Sequence, residues 1–178
     1  MNNEKQIFVV GNSRSGTTMM GRILNNHMDI FTFKELHFFG QLWSSEDQNK
    51  ILSGIDGIKL FSRLLCIQEF GIFNQNNPQQ FDEISKKIIE KRNLNPLEIF
   101  KIFLSHISSE NQCKISCDHT PRNVFYVQEI LKNFPEAKII NLVRDPRDIL
   151  LSQKNKWRRR YFGASGIPIK ESVRSFFN

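Results

Sequence analysis

Four short groups of residues have types and spacings that can do chemistry. The first is Gly11-Asn-Ser-Arg14-Ser-Gly-Thr-Thr18, which follows the apolar run Ile7–Val10 and precedes Met19, Met20, Ile23 and Leu24 at helical spacing. Strand, tight turn and helix in that order aim the first N–H groups of the helix out of the turn. With the helix dipole, those groups make a seat for an anion. The turn matches the phosphate loop G-x-x-x-x-G-K-[ST] except that Thr17 stands in the lysine position, so Arg14 is the nearest cation. The second group, Lys34-Glu-Leu-His37, follows the β-rich run Ile30–Phe33. The third, Asp118-His-Thr-Pro121, follows the short strand expected over Cys113–Cys117. The fourth runs from Arg144 to Ser152 after the apolar run Lys138–Val143, with Asp145 reading as a helix cap and Pro146 as the first helical residue.

These groups need elements to hold them. Strands alternating with helices and long crossovers imply a parallel sheet, and ligand sites in such sheets lie at the carboxyl ends of the strands. The expected fold is α/β, a P-loop-NTPase-like three-layer arrangement with a central parallel sheet flanked by helices. Residues 41–110 read as a mostly helical insertion covering one side of the sheet. Within it, Gln41–Leu52 is weakly patterned, Ile55–Phe73 and Phe81–Lys91 are amphipathic, and Asn95-Pro-Leu-Glu98 has the composition of a helix start. After Thr120 as cap and Pro121, a further helix is expected to bury Val124, Val127, Ile130 and Leu131.

The chain of 178 residues is expected to form one domain, residues 1–178. Its net charge of +7 favours an anionic partner, but the basic run Lys154–Arg160 lacks the context of a nucleic-acid module. No apolar run has the length of a membrane helix, and Met1–Lys5 leads directly into the first strand without a leader-like stretch. Cys66, Cys113 and Cys117 lack metal-ligand spacing and fit reduced thiols in the cytoplasm. No metal is expected, since no acidic residue at a strand end is suited to Mg²⁺. Phosphoryl transfer normally needs such an ion to offset several charges. A sulfuryl group carries fewer charges, and a guanidinium with a helix N-terminus can serve it.

The first and fourth groups, in this order, resemble the motifs of sulfotransferases that use 3′-phosphoadenosine-5′-phosphosulfate (PAPS). Gly11-x-x-Arg14-Ser-Gly-Thr-Thr18 is similar to the family's 5′-phosphosulfate loop. Arg144-Asp-Pro-Arg-Asp-x-x-x-Ser152 is similar to its 3′-phosphate motif, and Lys34-Glu-Leu-His-Phe-Phe39 to the base-bearing segment of the heparan-sulfate-type carbohydrate enzymes. The resemblance spans about residues 6 to 160. It implies that Arg14, Ser15, Gly16, Thr17 and Thr18 hold the 5′-phosphosulfate, and that Arg144 and Ser152 hold the 3′-phosphate. It also implies that Glu35 removes the acceptor's proton. Burial among Phe33, Phe38 and Phe39 is expected to raise that carboxyl's pKa toward neutrality. His119 stands where the family often has lysine, and is the alternative base. His27, His37 and His106 read as structural.

The implied activity is metal-free, in-line transfer of a sulfuryl group from PAPS to a hydroxyl or amine, most simply of a saccharide, leaving the product PAP. The family continues past its 3′-phosphate serine, so a C-terminal part of the domain is expected to be missing. A degenerate P-loop kinase or NTPase, or a non-catalytic PAP- or anion-binding fragment, are the alternatives.

Overall fold

A computed structural model of the chain describes residues 5–89 and 93–163, with side chains as far as Lys154. Four parallel strands make one sheet: β1 (Lys5–Gly11), β2 (Ile30–Thr32), β3 (Ile115–Asp118) and β4 (Lys138–Leu142), in the order β2-β3-β1-β4. The registers Ile30↔Ile115, Phe8↔Asp118 and Gly11↔Leu142 bring all four carboxyl ends to one edge. The crossovers run through α1 (Thr17–Leu24) from β1 to β2, and α2 (Gly54–Phe70), α3 (Asp82–Ile89) and α4 (Pro96–Glu110) from β2 to β3. Then α5 (Val127–Asn133) joins β3 to β4, and α6 (Pro146–Gly163) follows β4.

From Ile7 to Val10 β1 is apolar, because that part is covered on both faces. Side chains alternate across a strand. Phe8 and Val10 accordingly join one core, with Phe33, Phe38, Phe61, Phe100 and Phe103. Val9 joins a smaller core on the other face, with Ile30, Cys117 and the partly buried Met20 and Leu24 of α1. The helical block from α2 to α4 therefore covers one face and α1 the other, the three-layer arrangement expected.

Local chemistry explains the starts of α2, α4 and α6. Asn95 accepts from the Glu98 N–H at 2.9 Å while the Glu98 carboxylate accepts from the Asn95 N–H at 2.8 Å, a reciprocal cap for α4. Ser53 accepts from the Asp56 N–H at 3.2 Å at the start of α2. Asp145 caps α6 by accepting from the Arg147 N–H at 2.9 Å.

Three expectations need correction. Gln41–Leu52 is not a helix: an irregular turn, Phe38–Leu42, is followed by one 3₁₀ turn, Ser45–Asp47. Gly40 breaks the first turn with φ 84°. In α5, Ile130 is buried, Val127 is partly buried and Leu131 is exposed, because the segment Pro121–Tyr126 is 3₁₀ and shifts the stripe's phase. Thr120 precedes that 3₁₀ segment without capping it through its side chain. The basic side chains after Lys154, with Trp157, and residues 164–178 lie outside what is described.

Candidate active site

The site is assembled at the carboxyl edge of the sheet. β1 delivers the glycine loop, in which Ser15 N–H donates to Asn12 O at 3.0 Å to close a turn. Gly16, at φ 104°, turns the chain into α1, and Met20 N–H makes the bond back to Gly16 O. The N–H groups of Thr17, Thr18 and Met19 precede that bond and are the open donors of the helix start. Thr17 is buried, so the residue in the lysine position packs inward.

Residues 138 positions apart meet over this loop. Arg14 Nε donates to Ser152 Oγ at 3.0 Å. Arg144 Nη1 donates to the Arg14 carbonyl at 3.3 Å and its Nε lies 3.7 Å from Asp148 Oδ2. The two motifs read from opposite ends of the chain thus meet in one exposed cluster, in which Arg14 contacts both Ser152 and Arg144. Arg14 holds φ 75°, a left-handed conformation costly for a side-chain-bearing residue.

A second cluster lies on the other side of the start of α1. After β2 the chain alternates, with Leu36 and Phe38 fully buried and Glu35 and His37 only partly so. Phe38 stacks on Phe100 with centroids 4.0 Å apart, which nails the segment into the core. Glu35 Oε1 accepts from Thr18 Oγ1 at 3.4 Å, and Glu35 Oε2 lies 3.4 Å from His37 Nε2. Lys34 points elsewhere, its ammonium donating to the Glu69 carbonyl in α2.

The expectation that Glu35 would be raised toward neutrality is overturned. The hydrogen bond from His37 holds its carboxyl below the usual glutamate range, aided by His119 and Thr18, and these outweigh the opposing effect of burial. Phe33 and Phe38 are buried in the core, so the apolar groups flank the Glu35 backbone while its head faces imidazoles. His37 is likewise not a bystander. Its spacing of two from Glu35, between apolar Leu36 and Phe38, was the available signal, since alternation puts both on one side. His27 and His106 do stay outside the site: His27 Nδ1 accepts from the Asp29 N–H at 3.2 Å, and His106 lies 6.3 Å from the Phe61 ring.

His119 is buried against α1, where a side chain at Gly21 would come within 3.0 Å of its Cγ. Its neighbour Asp118 is a buried hub. Asp118 Oδ1 accepts from the Thr120 N–H at 2.9 Å and from the Thr120 hydroxyl at 2.6 Å, and Oδ2 accepts from Asn123 Nδ2 at 2.9 Å. Burial pushes this carboxyl above its ordinary value despite those donors.

Residues 6–174 match the model of the sulfotransferase family. The chain belongs to that family. A protein of Aquifex aeolicus (strain VF5), described only as uncharacterized, is 27% identical over 149 residues. That match is 84% of this sulfotransferase-family chain and 17% of the relative, so the chain spans a small part of the relative's length. No solved structure matches. Among the described residues, no helix is long and apolar enough to cross a membrane.

The donor set fits an anion. Residues 11–18 contribute N–H groups, hydroxyls and one guanidinium but no carboxylate. Ser15 Oγ is buried in the loop with no hydrogen-bond partner among the described side chains and backbone.

Proposed function

We propose that this sulfotransferase-family chain moves a sulfuryl group from PAPS to a hydroxyl or amine of a saccharide. The observation that carries the reading is the contact of Arg14 with both Ser152 and Arg144, which unites a phosphosulfate loop with a second phosphate-binding group. An ATP-type ligand gives Arg144 and Ser152 no equivalent partner, whereas a 3′-phosphate does.

In this reading Ser15, Gly16, Thr17 and Thr18 bind the 5′ end through N–H groups and hydroxyls, with Ser15 Oγ gaining the partner it lacks. Arg14 lies in the loop as the cation that stabilises charge on the departing oxygen. Arg144 and Ser152 bind the 3′-phosphate. PAPS, when bound, supplies an activated sulfuryl group whose transfer needs one proton removed from the acceptor. Glu35 is the group to take that proton, since its carboxylate is ionised at neutral pH and half-exposed. His119 is buried against α1 and supports the charge of Glu35 from behind. The saccharide subclass rests on the likeness of Lys34–Phe39 to carbohydrate sulfotransferases.

Calorimetry with 3′,5′-ADP, 5′-AMP and ATP tests the nucleotide reading. Tighter binding of 3′,5′-ADP is expected, and equal affinity for all three overturns it. Transfer of labelled sulfate from PAPS to a panel of saccharides tests the activity. Glu35→Gln should abolish turnover with nucleotide binding intact, and turnover at the original rate removes Glu35 from the role of base.

A further inference from the structure

Nothing in the proposed reaction requires the buried hub on β3, yet it is tied to the residue beside the proposed base. The Thr120 hydroxyl donates its one hydrogen to Asp118 Oδ1 at 2.6 Å. Its oxygen is therefore left as an acceptor, and the His37 N–H donates to it at 3.2 Å. Asp118 and Thr120 are both essentially inaccessible to solvent. Hydrogen bonds linked in series and shielded from water reinforce one another.

His37 needs such a hold. It sits at φ 51°, the left-handed region, which a residue with a side chain occupies only when its surroundings over-determine it. On one side it is anchored by the burial of Leu36 and Phe38. On the other it is held by Thr120. In that conformation its Nε2 reaches Glu35 Oε2 at 3.4 Å.

We propose that Asp118 and Thr120 are positioning residues, a buried relay whose hydrogen bond to the His37 backbone sets that imidazole against Glu35. The relay runs from the end of β3 to the segment after β2, so it carries the tie between these neighbouring strands past their last ladder bond, Phe33 N–H to Cys117 O at 2.9 Å. Asn123 completes it by donating to the second oxygen of Asp118, which stops the carboxyl from rotating. The relay touches no reacting atom and acts only through His37. Its bearing on catalysis rests on the proposed role of Glu35; its geometry does not.

The groups facing Glu35 are His37 on its own segment, His119 on the turn after β3, and the Thr18 hydroxyl on α1. Of these, His37 holds the carboxyl down most, so its displacement has a readable effect. The test is a carbon NMR titration of the Glu35 carboxyl in the full chain, for the original protein, Thr120→Val and Thr120→Ser. The midpoint should lie below 4.5 in the original protein, rise toward 4.5 in Thr120→Val and return in Thr120→Ser. An unchanged midpoint in folded Thr120→Val overturns the relay. Should Thr120→Val fail to fold, hydrogen exchange of the original protein decides. The His37 amide is expected to be protected, and free exchange at that amide overturns the relay.

Turnover with PAPS forms a separate arm. Thr120→Val should lower kcat on the order of 10- to 100-fold with KM for PAPS unchanged, and Thr120→Ser should restore it. Failure of the original protein to transfer sulfate refutes the proposed function while leaving the titration and exchange to judge the relay.

Discussion

Replacing Gly21 by alanine sets two effects of opposite sign against each other. Gly21 lies inside α1, where alanine is favoured over glycine by about 1 kcal/mol through backbone entropy. At an unobstructed helix position the substitution would therefore stabilise the protein. Here the added methyl would meet His119 Cγ at 3.0 Å, Thr32 Cγ2 at 3.0 Å and His119 Nδ1 at 3.2 Å. Comfortable carbon contacts begin near ~3.5 Å. Neither neighbour can easily recede. Thr32 Oγ1 donates to the Gly21 carbonyl at 3.0 Å and the Thr32 N–H donates to Asn25 Oδ1 at 2.8 Å. His119 is buried on the turn between Asp118 and Thr120, which bond each other twice. Overpacking of this kind costs about 1–3 kcal/mol, more than the helix gains. Gly21→Ala should therefore lose about 1 kcal/mol net, or ~2–4 °C in Tm for a chain of this size. Urea and thermal unfolding read the stability. Turnover should fall further than stability alone explains, because the displaced ring is one whose charge helps hold Glu35 ionised. A gain of about 1 kcal/mol, as for an open helix position, would refute the reasoning that α1 is pressed onto β2 and the His119 turn.

Further predictions concern Glu35 and His37, the cap of α4 and the cysteines. The carboxyl of Glu35 is held below 4.5, so if it is the base, turnover should persist as pH falls to that value and decline only beneath it. The sign for stability is the same: the fold favours the ionised form, so its contribution is present above the ordinary value and is lost as pH falls through the lowered one. His37→Ala should move the acid limb of the rate profile upward; an unmoved limb counts against His37 as the chief cause. Asn95→Ala removes the reciprocal cap of α4 and should cost about 1 kcal/mol in urea unfolding, with Asn95→Asp largely sparing it. Finally, burial pushes the Cys117 thiol up to about 12, and Cys66 is also buried, whereas Cys113 is partly exposed. A thiol reagent at neutral pH should modify Cys113 first and reach Cys117 only on unfolding; rapid native labelling of Cys117 would contradict the smaller core.

The features that could be read early are those decided over a few residues. A glycine loop between an apolar run and a helical pattern, or Asn95-Pro-Leu-Glu98 before an apolar stripe, is dictated by backbone sterics and by donors a few positions away. The segment 41–52, weakly patterned within a block expected to be mostly helical, takes its course from the burial of Phe39 and Trp43 and the turn at Gly40. Glu35 misled for a related reason. Phenylalanines next to a carboxylate in sequence suggest desolvation, but alternation along the chain sends them into the core and leaves the carboxylate facing His37 and Thr18.

By itself, then, the sequence determined the α/β alternation, the glycine loop, the caps at Asn95 and Asp145 and the candidate residues at four strand ends. These follow from local periodicity and from the few backbone conformations open to each residue. Tertiary structure alone decided which of those ends meet. The parallel order β2-β3-β1-β4 brings Ser152 onto Arg14 across 138 positions, and Thr120 onto His37 across 83. It also decided the sign of the shift at Glu35. A charge's environment is set by groups within a few ångströms, and distance along the chain says little about which groups those are.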